Sequence, residues 1–221
     1  MHLKRVLIWP LSFVRLAVHG EWPEIAYKLH VIFRNLDFGL VPPSELGLPP
    51  GPGHVESGGP ALERLLRRLS IPPGAAILDI GAGKGAALIT LAQFPFARVA
   101  GIELNAELAK IARRNFRRLG LDIELHCADA ATFEDLQQFN FYYMYNPFHE
   151  AVMGSVLGRI REGVEAERRP AYLIYKTPHC HDLLLRNGCR VVQRCPESDT
   201  TVYLMDVQSQ PNPNSRPEIA G

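Results

Sequence analysis

The central part of the chain alternates short apolar runs with amphipathic stretches. Leu62, Leu65, Leu66 and Leu69 recur at the spacing of one helical face, and Ala75–Ile80 has the length and composition of a buried strand. The same alternation predicts further helices at 86–94, 106–119, 152–160 and 182–187, and further strands at 98–103, 122–127, 139–145, 171–176, 190–195 and 200–207. Strands that alternate with helices in this way pair in parallel.

The last two predicted strands are joined differently from the others. Only Pro196–Asp199 separates them, which is too short for a crossover helix and predicts an antiparallel hairpin. The sequence therefore predicts an α/β fold with a doubly wound, mostly parallel sheet, an antiparallel last strand, and helices on both faces.

Composition divides the chain into four parts. Residues 41–60 contain six prolines and five glycines, which predicts a connector. We expect a helical appendage at 1–40 before this connector and one folded domain at 61–207 after it. The tail at 208–221 contains three prolines and is expected to be disordered.

The charge balance and the cysteines exclude several classes of protein. The 24 Lys and Arg residues nearly balance the 23 Asp and Glu residues, which argues against general adhesion to nucleic acid. One face of the helix at 106–119 carries arginines, and we expect that face to be solvated; they are Arg113, Arg114, Arg117 and Arg118. The four cysteines form no C-x-x-C pair, so a disulfide framework is not expected and the cytoplasm is the predicted compartment.

A short apolar segment lies between basic residues near the amino terminus. Lys4 and Arg5 precede the uncharged run Val6–Val14, and Arg15 follows it. This run is too short to cross a bilayer, which takes about 20 helical residues. Pro10 within the run, and the lack of a small-residue cleavage site after it, argue against a signal peptide. Two interpretations remain open: a segment that docks on the main domain, and a helix that lies on a membrane surface.

The strongest chemical signal is a glycine-rich turn, Gly81–Gly85, between the first strand and the next helix. Glycines permit a tight turn and a close approach of the backbone to a ligand. Twenty residues beyond Gly83, at the end of the second strand, Glu103 can accept hydrogen bonds from both hydroxyls of a ribose. The two features together predict a ligand that contains a nucleoside. Lys84, inside the turn, is expected to be no more than a surface charge.

Three kinds of nucleotide site share features with this turn. A P-loop is excluded because Lys84 is followed by Gly85 and the glycine spacing differs. The dinucleotide pattern G-x-G-x-x-G/A is satisfied by Gly81, Gly83 and Ala86, so a nicotinamide-dependent oxidoreductase remains an alternative. Asp79, an acid two residues before the first glycine, distinguishes this turn from the first two kinds and favours a third.

The segment Asp79–Gly85 resembles the glycine motif of class I S-adenosylmethionine-dependent methyltransferases, in which an acidic residue precedes G-x-G-x-G. The resemblance extends from about Ala61 to Val207 and implies a seven-stranded sheet and S-adenosyl-L-methionine as cofactor. In that family Glu103 corresponds to the ribose-binding acid, and Asp129 corresponds to the residue that contacts the adenine amino group. The cofactor contacts that the resemblance implies are Asp79, Gly81, Ala82, Gly83, Gly85, Glu103, Leu104, Asp129 and Ala130.

Asn146-Pro147-Phe148 follows the fourth strand and resembles the (D/N/S)-P-P-(Y/F) signature of methyltransferases that act on amino nitrogens, with one proline missing. In that family the polar side chain and a following carbonyl accept hydrogen bonds from the target amine, and the aromatic ring packs on the target. The resemblance implies a catalytic role for Asn146, Pro147 and Phe148, and a macromolecular acceptor that is either a protein lysine or a nucleic-acid amine. An ordinary turn with Phe148 in the core remains an alternative, as does a scaffold that binds the cofactor without transfer.

No metal site is expected. His179-Cys180-His181 brings at most two ligands together, and no third ligand is indicated.

Overall fold

The computed structural model describes residues 21–41, 57–145, 147 and 149–208. Its helices are α1 (Trp22–Phe33), α2 (Pro60–Leu66), α3 (Ala86–Leu91), α4 (Ala106–Leu119), α5 (Glu150–Glu167) and α6 (His181–Arg186). Its strands are β1 (Ala76–Ile80), β2 (Arg98–Glu103), β3 (Glu124–Cys127), β4 (Phe141–Tyr145), β5 (Ala171–Lys176), β6 (Arg190–Cys195) and β7 (Thr200–Met205). Short 3-10 helices lie at Glu134–Gln138 and Pro196–Ser198.

The strands form one seven-stranded sheet in the order β3-β2-β1-β4-β5-β7-β6. The pairs from β3 through to β5 are parallel, and β7 is antiparallel to both of its neighbours. This confirms the predicted fold class and the hairpin at the end of the chain. Strand β1 has β2 on one side and β4 on the other, so the order reverses there, and ligands of such sheets bind outside the carboxyl ends of the strands at that point.

Alternate residues of the central strands supply two hydrophobic cores, one on each face of the sheet. Leu78 and Met144 belong to the core on one face, whereas Ile77, Tyr143 and Ile174 belong to the core on the other. This alternation follows from the two-residue period of a strand. All five residues of β1 are buried, as expected for a central strand covered on both faces.

Helix α4 begins and ends at the residues that its sequence predicts. The side-chain oxygen of Asn105 accepts hydrogen bonds from the backbone N–H groups of Glu107, at 3.0 Å, and Leu108, at 3.1 Å. Gly120 follows the helix in the left-handed conformation, with φ 67°. Both ends therefore satisfy backbone groups that a bare helix would leave unpaired.

Several predicted elements are shorter than their apolar patterns. The helix predicted at 86–94 ends at Leu91, because Gln93 and Phe94 donate to carbonyls three residues back and close the chain into a tighter turn. Strand β4 begins at Phe141 instead of residue 139, because residues 134–138 form a 3-10 helix that leads up to it. Strand β3 begins at Glu124 instead of residue 122, and β7 ends at Met205 instead of residue 207.

Some predictions fall outside the described residues. They concern the run Val6–Val14, most of the connector at 41–60, and the tail after residue 208. Within the ranges that are described, no helix combines the length and the apolar composition needed to span a bilayer.

A pair of glycine substitutions separates backbone strain from steric overlap. Gly85 and Gly120 both have positive φ, 83° and 67°, but a Cβ at Gly85 would lie 2.5 Å from the Phe116 ring, whereas nothing lies within 4 Å of one at Gly120. Ala at either position is disfavoured by about 1 kcal/mol, and overpacking adds a further ~1–3 kcal/mol. We expect Gly85→Ala to lower the free energy of unfolding in urea clearly more than Gly120→Ala; equal losses would contradict this packing.

Candidate functional site

The predicted cofactor residues converge at the carboxyl edge of the sheet. β1 leads into the glycine turn, β2 ends at Glu103, and the chain leaving β3 carries Asp129. Ala128 N donates to Glu103 O at 3.2 Å, which ties the exit of β3 to the end of β2. Pro147 follows β4 at the same edge, whereas Asn146 and Phe148 lie outside the described residues.

The glycine turn has the backbone conformation that its composition requires. Gly81, Gly83 and Gly85 have φ of 81°, 55° and 83°, in the left-handed region that side chains disfavour. The N–H groups of Gly81 and Ala82 both donate to the carbonyl of Ile102 in β2, each at 2.9 Å. A Cβ on Gly81 would lie 3.1 Å from Cβ of Pro147, so the turn and the segment after β4 are immediate neighbours.

Glu103 lies beside this turn as the sequence predicted. One carboxylate oxygen accepts from Gly83 N at 2.7 Å, and the other accepts from Asn105 N at 2.8 Å. A carboxylate has about four acceptor sites, so these two bonds leave capacity for the hydroxyls of a ligand. Burial raises the pKa of Glu103, and the backbone hydrogen bonds oppose that shift.

Asp79 is the most unusual group at this edge. Only 2% of the residue is exposed, and among the described residues nothing donates a hydrogen bond to its Oδ2. Burial, and secondarily the charge of Glu103, raise the pKa of Asp79 to about 8. A buried carboxylate without a donor is costly, so this side chain is suited to receive a cationic donor from a ligand.

The turn at 57–59 packs beside the same site, which sequence reasoning did not establish. Ser57 O accepts from the hydroxyl of Tyr143 at 3.1 Å, and Gly59 N donates to Thr90 Oγ1 at 2.8 Å. A Cβ on Gly58 would lie 2.3 Å from the carbonyl oxygen of Ala86. The glycines at 58 and 59 are the sequence signal for this close approach, and the connector composition around them obscured it.

Lys84 is not the surface charge that the sequence suggested. Its side chain is 4% exposed, and Nζ donates to Asp37 Oδ1 at 2.7 Å and to Gly39 O at 2.8 Å. Asn115 completes the contact, because its side chain donates to the carbonyls of both Lys84 and Asp37 and accepts from Asp37 N. We call this set, Asp37, Gly39, Lys84 and Asn115, the latch. It fixes the chain after α1 directly to the glycine turn.

The arginine face of α4 is partly engaged with the protein itself. Arg114 lies 3.2 Å from Asp37 Oδ2, Arg113 donates to Leu125 O, and Arg118 donates to Asn35 O. These side chains hold residues 35–37 and β3 against the helix, so they contribute more than the solvated surface that was expected.

Two predicted cofactor residues, Leu104 and Asp129, follow strands β2 and β3 at the carboxyl edge of the sheet. Leu104, which follows Glu103, is 69% exposed. Asp129 is exposed, and its Oδ1 accepts from Ala131 N at 2.9 Å, whereas Ala130 is buried. The described residues contain no cluster of three His, Cys, Asp or Glu that could hold a metal ion.

Comparison with known proteins agrees with this geometry. Residues 77–164 match a family model described as a methyltransferase domain. The protein-L-isoaspartate O-methyltransferase of Methylorubrum populi is 37% identical over 82 residues, which cover 37% of this chain and 38% of that protein. The release factor glutamine methyltransferase of Geobacter sulfurreducens is 37% identical over 90 residues, 39% of this chain and 30% of that protein. The match thus spans about a third of the length of these relatives.

Solved structures support the same assignment at the level of the fold. An S-adenosylmethionine-dependent methyltransferase from Aquifex aeolicus superposes with a TM-score of 0.54 at 20% identity, over 66% of this chain and 89% of that one. The ribosomal protein L11 methylase of Lactobacillus delbrueckii subsp. bulgaricus gives a TM-score of 0.51 at 15% identity, over 65% and 75% of the two chains. Residues 77–164 therefore resemble a methyltransferase domain, and the seven-stranded sheet that contains them has the fold of class I methyltransferases.

The residues of this methyltransferase domain fit its cofactor. The family match and the fold confirm the predicted S-adenosyl-L-methionine. The cofactor carries an ammonium group, which is the donor that the unpartnered Oδ2 of Asp79 lacks, and a ribose, for which Glu103 retains acceptor capacity. A dinucleotide would supply no ammonium there, so the oxidoreductase alternative is not retained.

Removing either charged residue of the Lys84–Asp37 ion pair should destabilise the protein, but by different amounts. Asp37→Ala leaves the Lys84 ammonium buried without its carboxylate, whereas Lys84→Met leaves Asp37, whose side chain is 32% exposed, beside Arg114 and water. An unpaired buried charge costs several kcal/mol, so we expect a loss of ~3 kcal/mol for Asp37→Ala and ~1 kcal/mol for Lys84→Met. Urea unfolding measures both; the reverse order would contradict the burial of Lys84.

The raised pKa of Asp79 predicts a pH dependence of cofactor binding. Because the pKa of Asp79 is about 8 in the unliganded protein, the carboxyl is protonated below that pH and cannot bind an ammonium as an anion. Affinity for S-adenosylhomocysteine, measured by calorimetry, should rise about tenfold or more between about pH 6 and about pH 8.

Two variants assign this step. Glu103→Gln should weaken binding but retain the pH dependence, whereas Asp79→Asn should abolish it. By linkage, a carboxyl whose pKa is higher in the folded than in the unfolded protein lowers the stability of the protein as pH rises from the unfolded pKa of 3.8 to the folded pKa of about 8. Asp79→Asn should therefore raise the unfolding temperature of the unliganded protein at neutral pH by a few degrees. A pH-independent affinity in the unsubstituted protein would overturn the role of Asp79.

Proposed function

We propose that the protein is an S-adenosylmethionine-dependent methyltransferase that methylates a nitrogen atom of a macromolecule, and that this macromolecule is a protein. The observation that supports the cofactor most directly is the buried Asp79 side chain, whose Oδ2 has no donor among the described residues, two residues before a glycine turn that Glu103 hydrogen-bonds. The nitrogen acceptor is supported by the Asn146-Pro147-Phe148 sequence directly after β4.

Each cofactor residue has a separate role in this proposal. Asp79 binds the ammonium end, and the backbone of Gly81–Gly85 lies along the amino-acid portion. Glu103 accepts hydrogen bonds from the ribose hydroxyls, and Leu104 offers an exposed apolar surface to the base. Asp129 accepts a hydrogen bond from the adenine amino group, with Ala130 packed beneath it. When bound, S-adenosylmethionine supplies an electrophilic methyl group.

The acceptor is oriented by the residues after β4. Asn146 and the carbonyl of Pro147 accept hydrogen bonds from the target amine, which directs its lone pair toward the methyl group, and Phe148 packs against the target. Alignment of this kind lowers a barrier by as much as ~7–11 kcal/mol in favourable cases. Pro147 lies against the glycine turn, so a residue proposed to orient the acceptor is an immediate neighbour of the turn proposed to bind the cofactor.

A small cavity with room for about one water molecule lies at the same edge of the sheet. It is lined by Ser57, Tyr143, Lys176 and Thr200, among others, and lies between α2 and the carboxyl ends of β4 and β5. The Lys176 ammonium lies 4.7 Å from the centre of the Tyr145 ring, at the end of β4.

A protein acceptor is favoured over a nucleic acid by the use of basic residues. A nucleic-acid site requires cations that are directed outward along one face. On α4, Arg113, Arg114 and Arg118 bond to other parts of the chain, and the net charge of the protein is only +1. Two relatives are also named for protein acceptors, an isoaspartate residue and a release-factor glutamine. The cytoplasm is the proposed compartment.

Transfer of a labelled methyl group tests the proposal. The purified protein is incubated with S-adenosylmethionine that carries a radioactive methyl group and with cell extract, and the product is divided between protease and nuclease. We expect label in macromolecular material that resists nuclease and is lost with protease. Label that resists protease and is lost with nuclease would make the acceptor a nucleic acid, and absence of label despite cofactor binding would indicate a scaffold.

Asn146→Ala distinguishes orientation of the acceptor from binding of the cofactor. Transfer should fall about 100-fold, while affinity for S-adenosylhomocysteine should stay nearly unchanged. Asn187→Ala is the matched control, because Asn187 precedes β6 at the opposite, amino-terminal edge of the sheet, where its side chain bonds Leu183 O. Equal loss of transfer and cofactor affinity in Asn146→Ala would overturn the assigned role.

A further inference from the structure

Helix α1 carries an exposed apolar stripe. Trp22, Ala26, Leu29 and Phe33 are spaced four, three and four residues apart, so they lie on one side of the helix. Trp22 is 64% exposed, Leu29 41% and Phe33 84%. Ile32, beside the stripe, is 50% exposed. Large apolar side chains that share one surface in this way mark an interaction site more often than scattered ones do.

The exposure of the stripe does not arise from a loosely placed helix. On the opposite side of α1, the Tyr27 ring lies against Gly59, and Val31 packs on the hydrophobic core beneath the sheet. Glu24 pairs with Arg64 of α2 at 3.5 Å. The latch then fixes the chain after the helix to the glycine turn. The polar contacts therefore face inward, and the most apolar side faces outward.

Basic residues flank the stripe on both sides. At 100° per residue, Lys28 lies on one flank, on the same side as the N-cap residue Glu21, and His30 and the C-cap residue Arg34 lie on the other. Trp22 and Phe33 stand at the two ends of the stripe. An apolar stripe with aromatic ends and cationic flanks is the pattern of a helix that lies in the interface of an anionic lipid bilayer.

The sequence that leads into α1 has the same character. Lys4, Arg5 and Arg15 flank the uncharged run Val6–Val14, which contains Trp9. Across residues 1–34 the five Lys and Arg residues outnumber the two acids, Glu21 and Glu24, and Glu24 is paired with Arg64. Charge complementarity therefore favours a negatively charged lipid surface over a second copy of this chain, which would oppose one basic rim to another.

We propose that α1 docks the protein on the surface of an anionic lipid membrane, with the Trp22–Phe33 stripe inserted at the level of the headgroups and the helix parallel to the surface. The helix lies on the membrane and does not cross it, consistent with its 12 residues. Because the latch joins this segment to the glycine turn, docking also sets the orientation of the methyltransferase site relative to the membrane.

Co-sedimentation of the full chain with vesicles tests the proposal. One vesicle is made of phosphatidylcholine alone, and the other also contains an equal part of phosphatidylglycerol. We expect binding to the anionic vesicle that weakens with salt, and little binding to the neutral one. Trp22→Ser combined with Phe33→Ser should reduce the bound fraction about tenfold or more. Val192→Ser, at a 40% exposed position on β6, is the control and should bind normally.

Tryptophan fluorescence tests whether α1 itself lies in the lipid–water interface. The chain contains two tryptophans, so Trp9→Phe leaves Trp22 as the single reporter. Its emission should shift to shorter wavelength when anionic vesicles are added. The proposal is overturned if the chain does not sediment with anionic vesicles, or if the double variant sediments as well as the unsubstituted protein. It is also overturned if the Trp22 emission stays unchanged, or if the stripe instead forms a dimer that the double variant abolishes.

Discussion

Burial of the Asp79 carboxylate is the constraint around which the site is built. A carboxylate without a donor opposes folding, so such a group persists only where the surrounding strands fix it in place. Asp79 lies in β1, between β2 and β4, and all of β1 is buried. The glycine turn then places Glu103 nearby, and its charge raises the pKa of Asp79 further. A cation bound beside Asp79 would therefore offset both the cost of burying this acid and its repulsion by Glu103.

This arrangement explains why the fold holds the site so rigidly. The turn after β1 bonds to β2 through Ile102, packs on the segment after β4 through Pro147, and bonds to Glu103 through Gly83. The latch adds a fourth support from the chain that follows α1. Preorganised groups of this kind do not have to be reoriented when the ligand binds, so more of the interaction contributes to affinity.

The sequence was sufficient for the sheet, and for bringing the predicted cofactor residues to one edge of it, because both depend on local patterns. Strand and helix periodicity predicted every strand from β1 to β7, and Asn105 and Gly120 marked the ends of α4. Asp79 and Glu103 were predicted from their spacing to the glycine turn, and both lie next to that turn. Element ends were less accurate, since Gln93 and Phe94 make hydrogen bonds that the apolar pattern does not encode.

The contacts that sequence reasoning missed join residues far apart in the chain. Lys84 and Asp37 are 47 residues apart, and Asn115 and Asp37 are 78 apart. No spacing rule links such positions, and a lysine within a glycine-rich turn is ordinarily solvated. The turn at 57–59 was obscured for a different reason, because its glycines belong to a stretch whose composition predicts a linker.

The latch also bears on what a shortened form of this protein would be. A chain that began at residue 57 would contain all seven strands of the described sheet and the whole glycine turn, yet its Lys84 ammonium would lose the hydrogen bonds to Asp37 and Gly39. The Asn115 side chain would lose two of its three hydrogen bonds, both of them to Asp37. The stretch from residue 35 to 39 is therefore an integral part of the catalytic domain. The domain thus extends well beyond residues 77–164, the segment that matches the family model.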